Sequence, residues 1–326
     1  MQIVSFLSLV ASIIAQHTAL DVVLNSKDHT TLASLAAKIP SVLEALKSAG
    51  PLTLFAPNDA AFMKLDKATV DAVSNDNALL AKVLTYHVIS GVAFDPKTAE
   101  PTSFPKTASG LSVGVTVETS GVTFKFGLGS SKVVGSVPAS NGVVHVVDTV
   151  LIPLPSASKT AVDAKLTQLV ASLQKVKLVE AVDGAKEVTI FAPTDKAFEN
   201  LIAFAKESKL EITDALLTEI LKLHVVPGIV YSTDVVKAKS TLTVPALSQG
   251  NVSVQFKDGS VLVNGEGNTE SAKVVVADVL YNNGVVHVID TVLLPKLDGK
   301  ASSPRVASGA VSVTIGSLFY FVLLAL

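Results

Sequence analysis

Apolar residues recur at helical spacing at the start of two long stretches of the chain. They follow one another at steps of three and four residues from Leu32 to Leu46, with an interruption at Pro40, and again from Leu166 to Leu178. Such spacing places the apolar side chains on one face of a helix. Both stretches are therefore predicted to open with amphipathic helices that pack on a core.

A short apolar run follows the helical pattern in each stretch. LTLFAP at 52–57 ends in proline and is predicted to be a buried strand. Asn58, or Thr194 in the second stretch, stands directly after this run, where its side chain can cap the helix that carries Phe62 or Phe198. The predicted unit is a strand, a capped turn and a helix.

The pattern then changes from helical spacing to alternation. A second helical stretch is predicted at 77–86 in the first half and at 212–223 in the second. VSVQFKDGSVLVNG from Val252 predicts two strands joined by an Asp-Gly turn. The closing segment KVVVADVLYNNGVVHVIDTVLLP predicts two more strands across an Asn-Gly turn, apolar enough to be buried on both faces. Helices followed by strands predict an α+β domain.

The same segments occur twice in the chain. TLFAPNDAAF at 53–62 returns as TIFAPTDKAF at 189–198, and NGVVHVVDTVLIP at 141–153 returns as NGVVHVIDTVLLP at 283–295. A shorter pair, YHVISG and LHVVPG, lies between them in both copies. The first segment recurs after 136 residues and the last after 142. Units of this length are longer than solenoid repeats and fit a domain with its own core. The chain is therefore a tandem duplication of one domain.

The two predicted domains occupy residues 17–155 and 156–297 and leave an apolar segment at each end. Residues 1–16 contain the run IVSFLSLVASIIA, which is typical of a signal peptide, with a buried first helix as the alternative. The segment 298–326 joins small residues to a polar spacer and an apolar tail, the pattern of a glycosylphosphatidylinositol attachment signal, with Ala301 as the candidate attachment residue. A tail-anchored membrane protein is the alternative. Together the two ends predict an extracellular protein anchored by lipid to the outer leaflet of the plasma membrane.

Composition narrows the class of function. The chain has no cysteine, so a secreted fold must rely on packed cores and not on disulfides. Its formal net charge of -2 offers no basic field, and nucleic acid is not an expected partner. Aromatic residues make up 5% and tryptophan is absent, so no stacking platform for sugars is evident, although weak polysaccharide contact stays open. Asn251 begins the N-glycosylation sequon.

Two histidine and aspartate pairs, His145 with Asp148 and His287 with Asp290, are candidates for metal binding or catalysis. Residues three positions apart on a strand point to opposite faces, so one strand cannot readily aim both side chains at one ligand. We interpret them as half-buried side chains that hydrogen-bond to nearby backbone. The chain also lacks H-E-x-x-H, paired cysteines and acidic calcium loops, so no metal, cofactor or enzymatic reaction is predicted.

Two short patterns are similar to catalytic or phosphate-binding motifs. GLSVG at 110–114 has the G-x-S-x-G form of a hydrolase nucleophile elbow, with Ser112 at its centre. That elbow needs a buried strand before the serine and a helix after it, whereas alternating residues follow here. The glycine run at Gly127 misses the G-x-G-x-x-G spacing. Both patterns are interpreted as strands and turns.

The repeated blocks resemble those of the fasciclin-like domain family. TLFAPNDAAF and TIFAPTDKAF are similar to its first signature, the two NGVVH segments to its second, and Tyr86-His87 to its central tyrosine-histidine motif. The resemblance implies two compact α+β domains, each a β-sandwich-like wedge with packed helices, that act as adhesion modules and not as enzymes. It also implies that Tyr86 and His87 take part in adhesion. Leu223 stands at the tyrosine position of the second copy, which favours a structural role for His224.

The expected function is adhesion between cells, or between a cell and its matrix or wall, through surface or matrix proteins or a second copy of the chain. The layout of two domains and an anchor is similar to that of fungal surface members. The alternative is a structural protein that organises the cell wall by binding polysaccharide. A hydrolase that uses Ser112 is a third alternative, against which the surrounding pattern argues.

Overall fold

The computed structural model describes residues 17–296, and the chain divides between Pro153 and Leu154 into two compact units. We call these units domain 1 and domain 2 and describe each by itself. The predicted signal peptide and anchor segment lie outside the described residues. No helix between residues 17 and 296 combines the length and the apolar character that crossing a membrane requires.

Helices precede most of the strands in domain 1, as the sequence pattern predicts. The helices are α1 (Ala19–Leu24), α2 (Thr30–Ala36), α3 (Pro40–Lys47), α4 (Asp59–Phe62), α5 (Lys67–Asn75) and α6 (Asn77–Tyr86). The strands are β1 (Leu52–Pro57), β2 (Val88–Ser90), β3 (Thr102–Ser103), β4 (Gly114–Glu118), β5 (Gly121–Phe126), β6 (Gly129–Ala139) and β7 (Gly142–Val147).

The strands of domain 1 form a seven-stranded sheet in the order β2-β1-β7-β6-β5-β4-β3. β1 and β7 pair in parallel, with Leu52 opposite Gly142 and Pro57 opposite Val147. The other neighbours pair antiparallel. The first and last strands of the domain therefore lie side by side, although 90 positions separate Leu52 from Gly142 in the chain.

The sheet folds over onto itself through the long strand β6. Residues 129–132 of β6 pair with β5, residues 133–139 pair with β7, and the register is irregular between Val133 and Gly135. The ring centroids of Phe55 on β1 and Phe124 on β5 are 4.1 Å apart. In a flat sheet three strand spacings would separate them by about 14 Å. The two halves of the sheet thus face each other, which confirms the sandwich-like form.

Domain 2 contains the same kinds of elements in nearly the same order. Its helices are α7 (Ala157–Asp163), α8 (Thr167–Lys175), α9 (Val179–Gly184), α10 (Asp195–Ser208), α11 (Asp214–Leu223) and α12 (Ser232–Ala238). Its strands are β8 (Val188–Pro193), β9 (Val225–Pro227), β10 (Leu242–Pro245), β11 (Asn251–Lys257), β12 (Ser260–Gly265), β13 (Ala272–Tyr281) and β14 (Gly284–Ile289).

The sheet of domain 2 repeats the topology of domain 1. Its order is β10-β11-β12-β13-β14-β8-β9, and β8 pairs in parallel with β14, with Val188 opposite Gly284. The hairpin predicted at the Asp-Gly turn is present, because Lys257 lies opposite Ser260 across that turn. The duplicated sequence therefore folds into duplicated α+β domains.

The last hairpin of domain 2 differs from the prediction in one respect. β14 is buried on both faces, as expected for a continuous apolar run. In β13, Ala272 and the last three residues, 279–281, are fully buried, while residues 273–278 alternate between half-buried and exposed positions. The expectation of two strands buried on both faces is wrong for the first part of β13, since only one face of that part is covered.

Capping side chains begin the helix after the first strand in both domains. The side-chain oxygen of Asn58 accepts the N–H of Ala61 at 2.8 Å, and the hydroxyl of Thr194 accepts the N–H of Ala197 at 3.1 Å. Each cap satisfies one N–H that has no partner within its own helix. This confirms the capping prediction.

The continuation of that helix is the main difference between the domains. In domain 2, α10 runs for 14 residues and buries Phe198 and Leu201 in the core. In domain 1, α4 ends at Phe62, and α5 begins at Lys67 after a cap by Asp66, whose carboxylate accepts the N–H of Thr69. No residue of α5 is fully buried. The helix that covers the core of domain 2 therefore has a divided and less deeply packed counterpart in domain 1.

Candidate functional site

Tyr86 and His87 end helix α6 of domain 1, and both side chains are buried. Tyr86 is 0% exposed and His87 is 2% exposed. A side chain must be exposed to contact a partner, so neither side chain itself forms a contact surface in this fold. Any effect of either residue on adhesion has to arise from the parts of the chain that it holds in place.

The His87 imidazole joins two segments of domain 1. Its Nδ1 donates to the carbonyl oxygen of Val83 at 2.8 Å, and its Nε2 accepts the backbone N–H of Leu151 at 2.9 Å. These partners require the neutral tautomer with the proton on Nδ1. Burial lowers the pKa of His87 from 6.5 to about 4, although the hydrogen bond to Val83 acts in the opposite direction.

The Tyr86 hydroxyl holds the segment that leads into β4. It donates to the carbonyl oxygen of Ser112 at 3.0 Å, and burial raises the pKa of Tyr86, so the hydroxyl stays protonated. The same segment is tied to β2, because the N–H of Ala108 donates to the carbonyl of Val88 at 2.7 Å. We call residues 104–113 the Tyr86-supported segment.

Domain 2 keeps the histidine contacts and loses the tyrosine contact. His224 donates from Nδ1 to the carbonyl of Ile220 at 2.7 Å and accepts the N–H of Leu293 on Nε2 at 2.9 Å. Burial lowers the pKa of His224 to about 4. Leu223 packs in an apolar cluster with Val252 and other residues and has no hydroxyl to donate. His224 therefore has a structural role, and the two domains differ at the Tyr86 position.

The histidine of the second signature motif binds backbone in the same domain. The Nε2 of His145 donates to the carbonyl of Phe94 at 3.0 Å, and its Nδ1 accepts the hydroxyl of Ser136 at 2.8 Å. Thr53, in the first signature motif, accepts the N–H of Phe94 at 2.8 Å. The two motifs thus hold both backbone polar groups of Phe94, in the chain that follows β2.

The same arrangement recurs in domain 2. The Nε2 of His287 donates to the carbonyl of Val230 at 2.8 Å, and the hydroxyl of Thr189 accepts the N–H of Val230 at 2.8 Å. Burial lowers the pKa of His145 and of His287, so both imidazoles are neutral and able to accept on Nδ1. In both domains the threonine and the histidine together bind both backbone polar groups of one residue.

Asp148 and Asp290 have partners of their own, as the strand geometry predicts. Asp148 accepts the N–H of Lys132 at 2.8 Å, and Asp290 accepts the N–H of Lys273 at 2.8 Å. No hydrogen bond joins either aspartate to the histidine of its own motif among the contacts described for residues 17–296. The geometry agrees with the interpretation of these side chains as backbone partners, but both histidines are fully buried and not half-buried.

Ser112 lies in extended chain and not at a nucleophile elbow. It forms an isolated antiparallel bridge with Lys106, and strand β4, not a helix, begins two residues later. Gly127 lies in the turn between β5 and β6, with φ of 53°. The interpretation of both patterns as strands and turns is confirmed.

A groove with a volume of about 410 Å³ opens on domain 1 and was not expected from the sequence. Helices α2, α4, α5 and α6 and the chain after β7 line it. Leu80 and Val150 are buried at its base, whereas Met63, Val70 and Ile152 are 80%, 37% and 38% exposed along its rim. We call this feature the domain 1 groove.

Asp59 places a negative charge in the lining of the domain 1 groove. Its carboxylate accepts the N–H of Thr31 at 2.8 Å and the hydroxyl of Thr30 at 2.7 Å. Burial raises the pKa of Asp59, but these hydrogen bonds outweigh burial and lower the pKa to about 2. None of the described residues that line the groove is a lysine or an arginine.

Two modification sites were expected from the sequence, Asn251 and Ala301. Asn251 is exposed at the start of β11, and its Nδ2 donates to the Oε1 of Glu266 at 2.8 Å. Ala301 lies outside the described residues. Between residues 17 and 296 no cluster of three or more histidine, aspartate or glutamate side chains could hold a metal ion.

Comparison with known proteins assigns the fold to a family. The model of the Fasciclin domain matches the chain twice, at residues 27–153 and 164–295. A fasciclin-like arabinogalactan protein of Arthroderma benhamiae is 28% identical over 284 residues, which cover 82% of this chain and 64% of that protein. Human periostin is 28% identical over 257 residues, which cover 77% of this chain and 29% of periostin. The chain thus spans less than two thirds of the length of either relative.

Among solved structures, the FAS1 domain pair of the insect cell adhesion molecule fasciclin I is similar with a TM-score of 0.41 and 21% identity, over 81% of this chain and 97% of that one. The two family matches together cover more than half of the sequence and fall on both domains. They include both copies of the signature segments that form the parallel strand pair of each sheet. The chain therefore belongs to the fasciclin domain family.

Proposed function

We propose that this chain is a non-enzymatic adhesion protein of the cell surface. It is secreted, and a lipid anchor near Ala301 holds it at the outer leaflet of the plasma membrane. Its partners are surface or matrix proteins, a second copy of the chain, or components of a cell wall. The observation that carries the proposal is the presence of two Fasciclin domains in one chain.

The internal hydrogen bonds of each domain support a role in presenting a fixed surface. The polar residues of the motifs bind backbone: Thr53 and His145 hold Phe94, and His87 holds Leu151. A surface that is already ordered before binding loses less conformational entropy on contact. The motifs thus contribute to adhesion by shaping the domain, and exposed residues elsewhere make the contacts.

Two domains on one tether also favour binding by avidity, in which several weak contacts act together. Linked sites can exceed the affinity of a single site by roughly 100-fold to 10,000-fold when both can engage at once. Many anchored copies on one membrane multiply this effect. We expect a single soluble domain to bind its partner more weakly than the anchored pair does.

Beads coated with residues 17–296 should attach to one another or to cells of the source organism, and beads coated with an unrelated protein should not. Attachment between coated beads identifies contact between copies, and attachment only to cells identifies another surface partner. Attachment to purified wall polysaccharide alone would instead support the wall-organising role. Failure of the folded protein to attach in all three formats would contradict the proposal.

The proposal gives Tyr86 and His87 a positioning role in adhesion. The Tyr86 hydroxyl and the Tyr86-supported segment are joined by one hydrogen bond, and the equivalent Leu223 has none to offer. Exposed parts of this segment, such as Lys106 and Ala108, are then the contact region of domain 1. Domain 1 contributes more to attachment than domain 2 in this scheme.

Tyr86→Phe removes that hydrogen bond while keeping the ring, and it should lower bead attachment several-fold at a stability cost of about 1 kcal/mol. Tyr281→Phe is the matched control, because the buried hydroxyl of Tyr281 has no hydrogen-bond partner within residues 17–296. It should leave attachment unchanged. Equal attachment by both variants would remove the Tyr86-supported segment from the proposal and leave the contact region elsewhere.

A further inference from the structure

The division of the helix after β1 creates the domain 1 groove. In domain 2, α10 runs without a break and buries Phe198 and Leu201, and Phe204 packs against the same core. In domain 1 the chain leaves the helix after Phe62, and α5 buries none of its residues fully. The apolar surface that α10 covers in domain 2 is left accessible as a groove beside α5.

The groove is apolar where it is deep and offers few polar groups that still need a partner. Its polar lining residues include Thr30, Asp59, Thr69 and His87. The Thr30 hydroxyl donates a hydrogen bond to the Asp59 carboxylate, and the Thr69 hydroxyl donates one to Asp66. Both ring nitrogens of His87 are hydrogen-bonded to backbone. A ligand would therefore gain mainly from contact with apolar side chains, because these polar atoms are already satisfied.

The size of the groove fits a small molecule. A volume of about 410 Å³ lies in the range of about 300 to 1,000 Å³ that is usual for ligand pockets. Leucine, valine, methionine and isoleucine side chains dominate its lining, and Phe62 is its aromatic member. Aliphatic walls without a stacking platform fit a hydrocarbon chain better than a sugar or a nucleobase.

The charge of the groove selects against an anionic ligand. Asp59 is ionised, His87 is neutral, and the described lining holds no lysine or arginine to pair with a carboxylate or phosphate. A negative charge near Asp59 would be repelled by it, and a negative charge that entered the apolar part of the groove would lose its water without compensation. A polar head without charge can remain at the open rim, in water, near Val70 and Ile152.

We propose that the domain 1 groove binds one uncharged single-chain lipid, with its hydrocarbon chain along α5 and α6 and its polar head at the rim. This site is independent of the proposed adhesive role, since it needs neither a surface partner nor the lipid anchor. It gives domain 1 a ligand that domain 2 does not share, because α10 covers the equivalent core.

The test uses the purified full-length protein and the uncharged fluorescent probe N-phenyl-1-naphthylamine. The probe should bind saturably with one site per chain, and monolauroylglycerol should displace it. Laurate at a pH where it is ionised has the same chain and should need at least about a tenfold higher concentration, because of the repulsion by Asp59. Displacement by both lipids at the same concentration would overturn the neutral-ligand assignment.

Substitutions that fill the groove locate the site. Val73 lines it and is only half-buried, so Val73→Trp should weaken probe binding by at least about tenfold by occupying the space of the ligand. Ile152→Trp changes a lining residue from another segment, the chain after β7, and serves if Val73→Trp does not fold. Ile202→Trp is the control, because Ile202 is 44% exposed on α10 and does not line the groove.

Unchanged probe binding in both groove variants, or an equal loss in Ile202→Trp, would overturn the proposal. So would the absence of saturable binding by the unsubstituted protein. Binding to neutral lipid vesicles without displacement of the probe by monolauroylglycerol would assign the groove to a membrane surface and also overturn it. None of these outcomes affects the bead attachment that tests the adhesive role.

Discussion

Each domain is expected to lose about 3 kcal/mol of its folding free energy when the pH falls from 6.5 to about 4. His87 causes this loss in domain 1, and His224 causes it in domain 2. Small domains are stable by roughly 5 to 15 kcal/mol in total. Acidification over this interval should therefore remove a large fraction of the stability of each domain.

The magnitude follows from the burial of the two imidazoles. A fall of the pKa from 6.5 to about 4 corresponds to about 3 kcal/mol, at about 1.4 kcal/mol for each tenfold change in proton affinity. Protonation also adds a second proton to the imidazole ring, on Nε2. That nitrogen then cannot accept the N–H of Leu151 or Leu293. The folded state therefore resists the charge for two reasons, lost hydration and a lost acceptor.

The sign of the change in stability with pH depends on whether the folded or the unfolded state binds protons more readily. The unfolded chain protonates these histidines as the pH falls below 6.5, whereas the folded domain does so only near pH 4. Unfolding therefore takes up protons in this interval, and the stability present above pH 6.5 is lost as the pH falls towards 4. Asp59 acts at lower pH, since its pKa of about 2 lies below the ordinary value of 3.8.

The second histidine of each domain acts in the same direction. Burial lowers the pKa of His145, although the bond to Phe94 and the charge of Asp95 raise it. Burial also lowers the pKa of His287, against the charge of Asp278 and the bond to Val230. Both imidazoles accept a hydrogen bond on Nδ1, so protonation removes a contact at these positions as well.

Urea unfolding from pH 7 to 4.5, with hydrogen exchange read separately for each domain, measures the effect. His87→Gln should lower the stability of domain 1 at pH 7 and make its stability fall less steeply with acid, while domain 2 keeps its steep fall. Nitrogen chemical shifts should show the proton on Nδ1 in His87 and His224 and on Nε2 in His145 and His287. An imidazole of His87 that titrates near 6.5 in the folded protein would contradict the prediction.

Local signals in the sequence were sufficient for helix starts and hairpins. Asn58 and Thr194 cap helices because a polar side chain directly after an apolar run has unpaired N–H groups within reach. The Asp258-Gly259 pair gives a hairpin because both residues adopt positive φ there. Each of these patterns acts within a few residues, so it can be recognised without knowledge of the rest of the fold.

The parallel contact of β1 with β7 was not predictable from such signals. It joins segments 90 positions apart, and neither segment alone shows whether its neighbour is parallel. The polar residues in these strands were a partial signal. Thr53 and His145 stand in apolar runs, and buried polar groups must find partners. That predicts a backbone contact, but only the fold shows that the contact is with Phe94.

The burial of His87 was readable in principle. Leu80, Val83 and Leu84 precede it by seven, four and three residues, which is the spacing of one helix face, and all three are buried. The resemblance to a motif associated with adhesion pointed instead to the surface. A helical face that continues to its last residue was the better guide to where this side chain lies.

A comparison of the two copies of the sequence contains an indication of the groove. With the copies matched through Phe55 and Phe191, Asp66 and Ala68 fall at the positions of Ile202 and Phe204. Phe204, which packs against the core of domain 2, is thus replaced by a small side chain, and the exposed Ile202 is replaced by a helix cap. Sequence comparison could show that a large apolar side chain is absent from domain 1. It could not show that the surrounding helices leave the space open.

Gly142→Ala is expected to cost domain 1 more than about 4 kcal/mol, at the extreme end of single substitutions, and to leave domain 2 unchanged. Gly142 begins β7 opposite Leu52 on β1. A Cβ at Gly142 would stand 1.9 Å from the carbonyl oxygen of Leu52 and 2.8 Å from its carbonyl carbon and its nitrogen. These are backbone atoms, so the clash cannot be relieved by rotating a side chain.

The surrounding contacts prevent the two strands from moving apart. The N–H of Leu52 donates to the carbonyl of Asn141 at 3.0 Å. The amide of Asn141 donates to the carbonyls of Leu46 and Ser48 and accepts the N–H of Ala19. A shift of β7 away from β1 would therefore break contacts to helices α1 and α3 as well as the parallel pairing.

Two further glycines separate this clash from the effect of backbone conformation. Gly121 has φ of 128°, but a Cβ there would meet nothing within 4 Å in the described chain, so Gly121→Ala should cost only about 1 to 3 kcal/mol. Gly284 is the counterpart of Gly142 in domain 2. A Cβ at Gly284 would stand 2.1 Å from the carbonyl oxygen of Val188, so Gly284→Ala should destabilise domain 2 alone.

Urea unfolding with hydrogen exchange resolved by domain distinguishes the three variants. A loss in Gly142→Ala no larger than that in Gly121→Ala would contradict the close approach of β7 to β1. A large loss in domain 1 for Gly142→Ala and in domain 2 for Gly284→Ala would show that the Asn-Gly pair of the motif does more than form a turn. The glycine would then be required because the last strand of each domain enters the sheet against the backbone of the first.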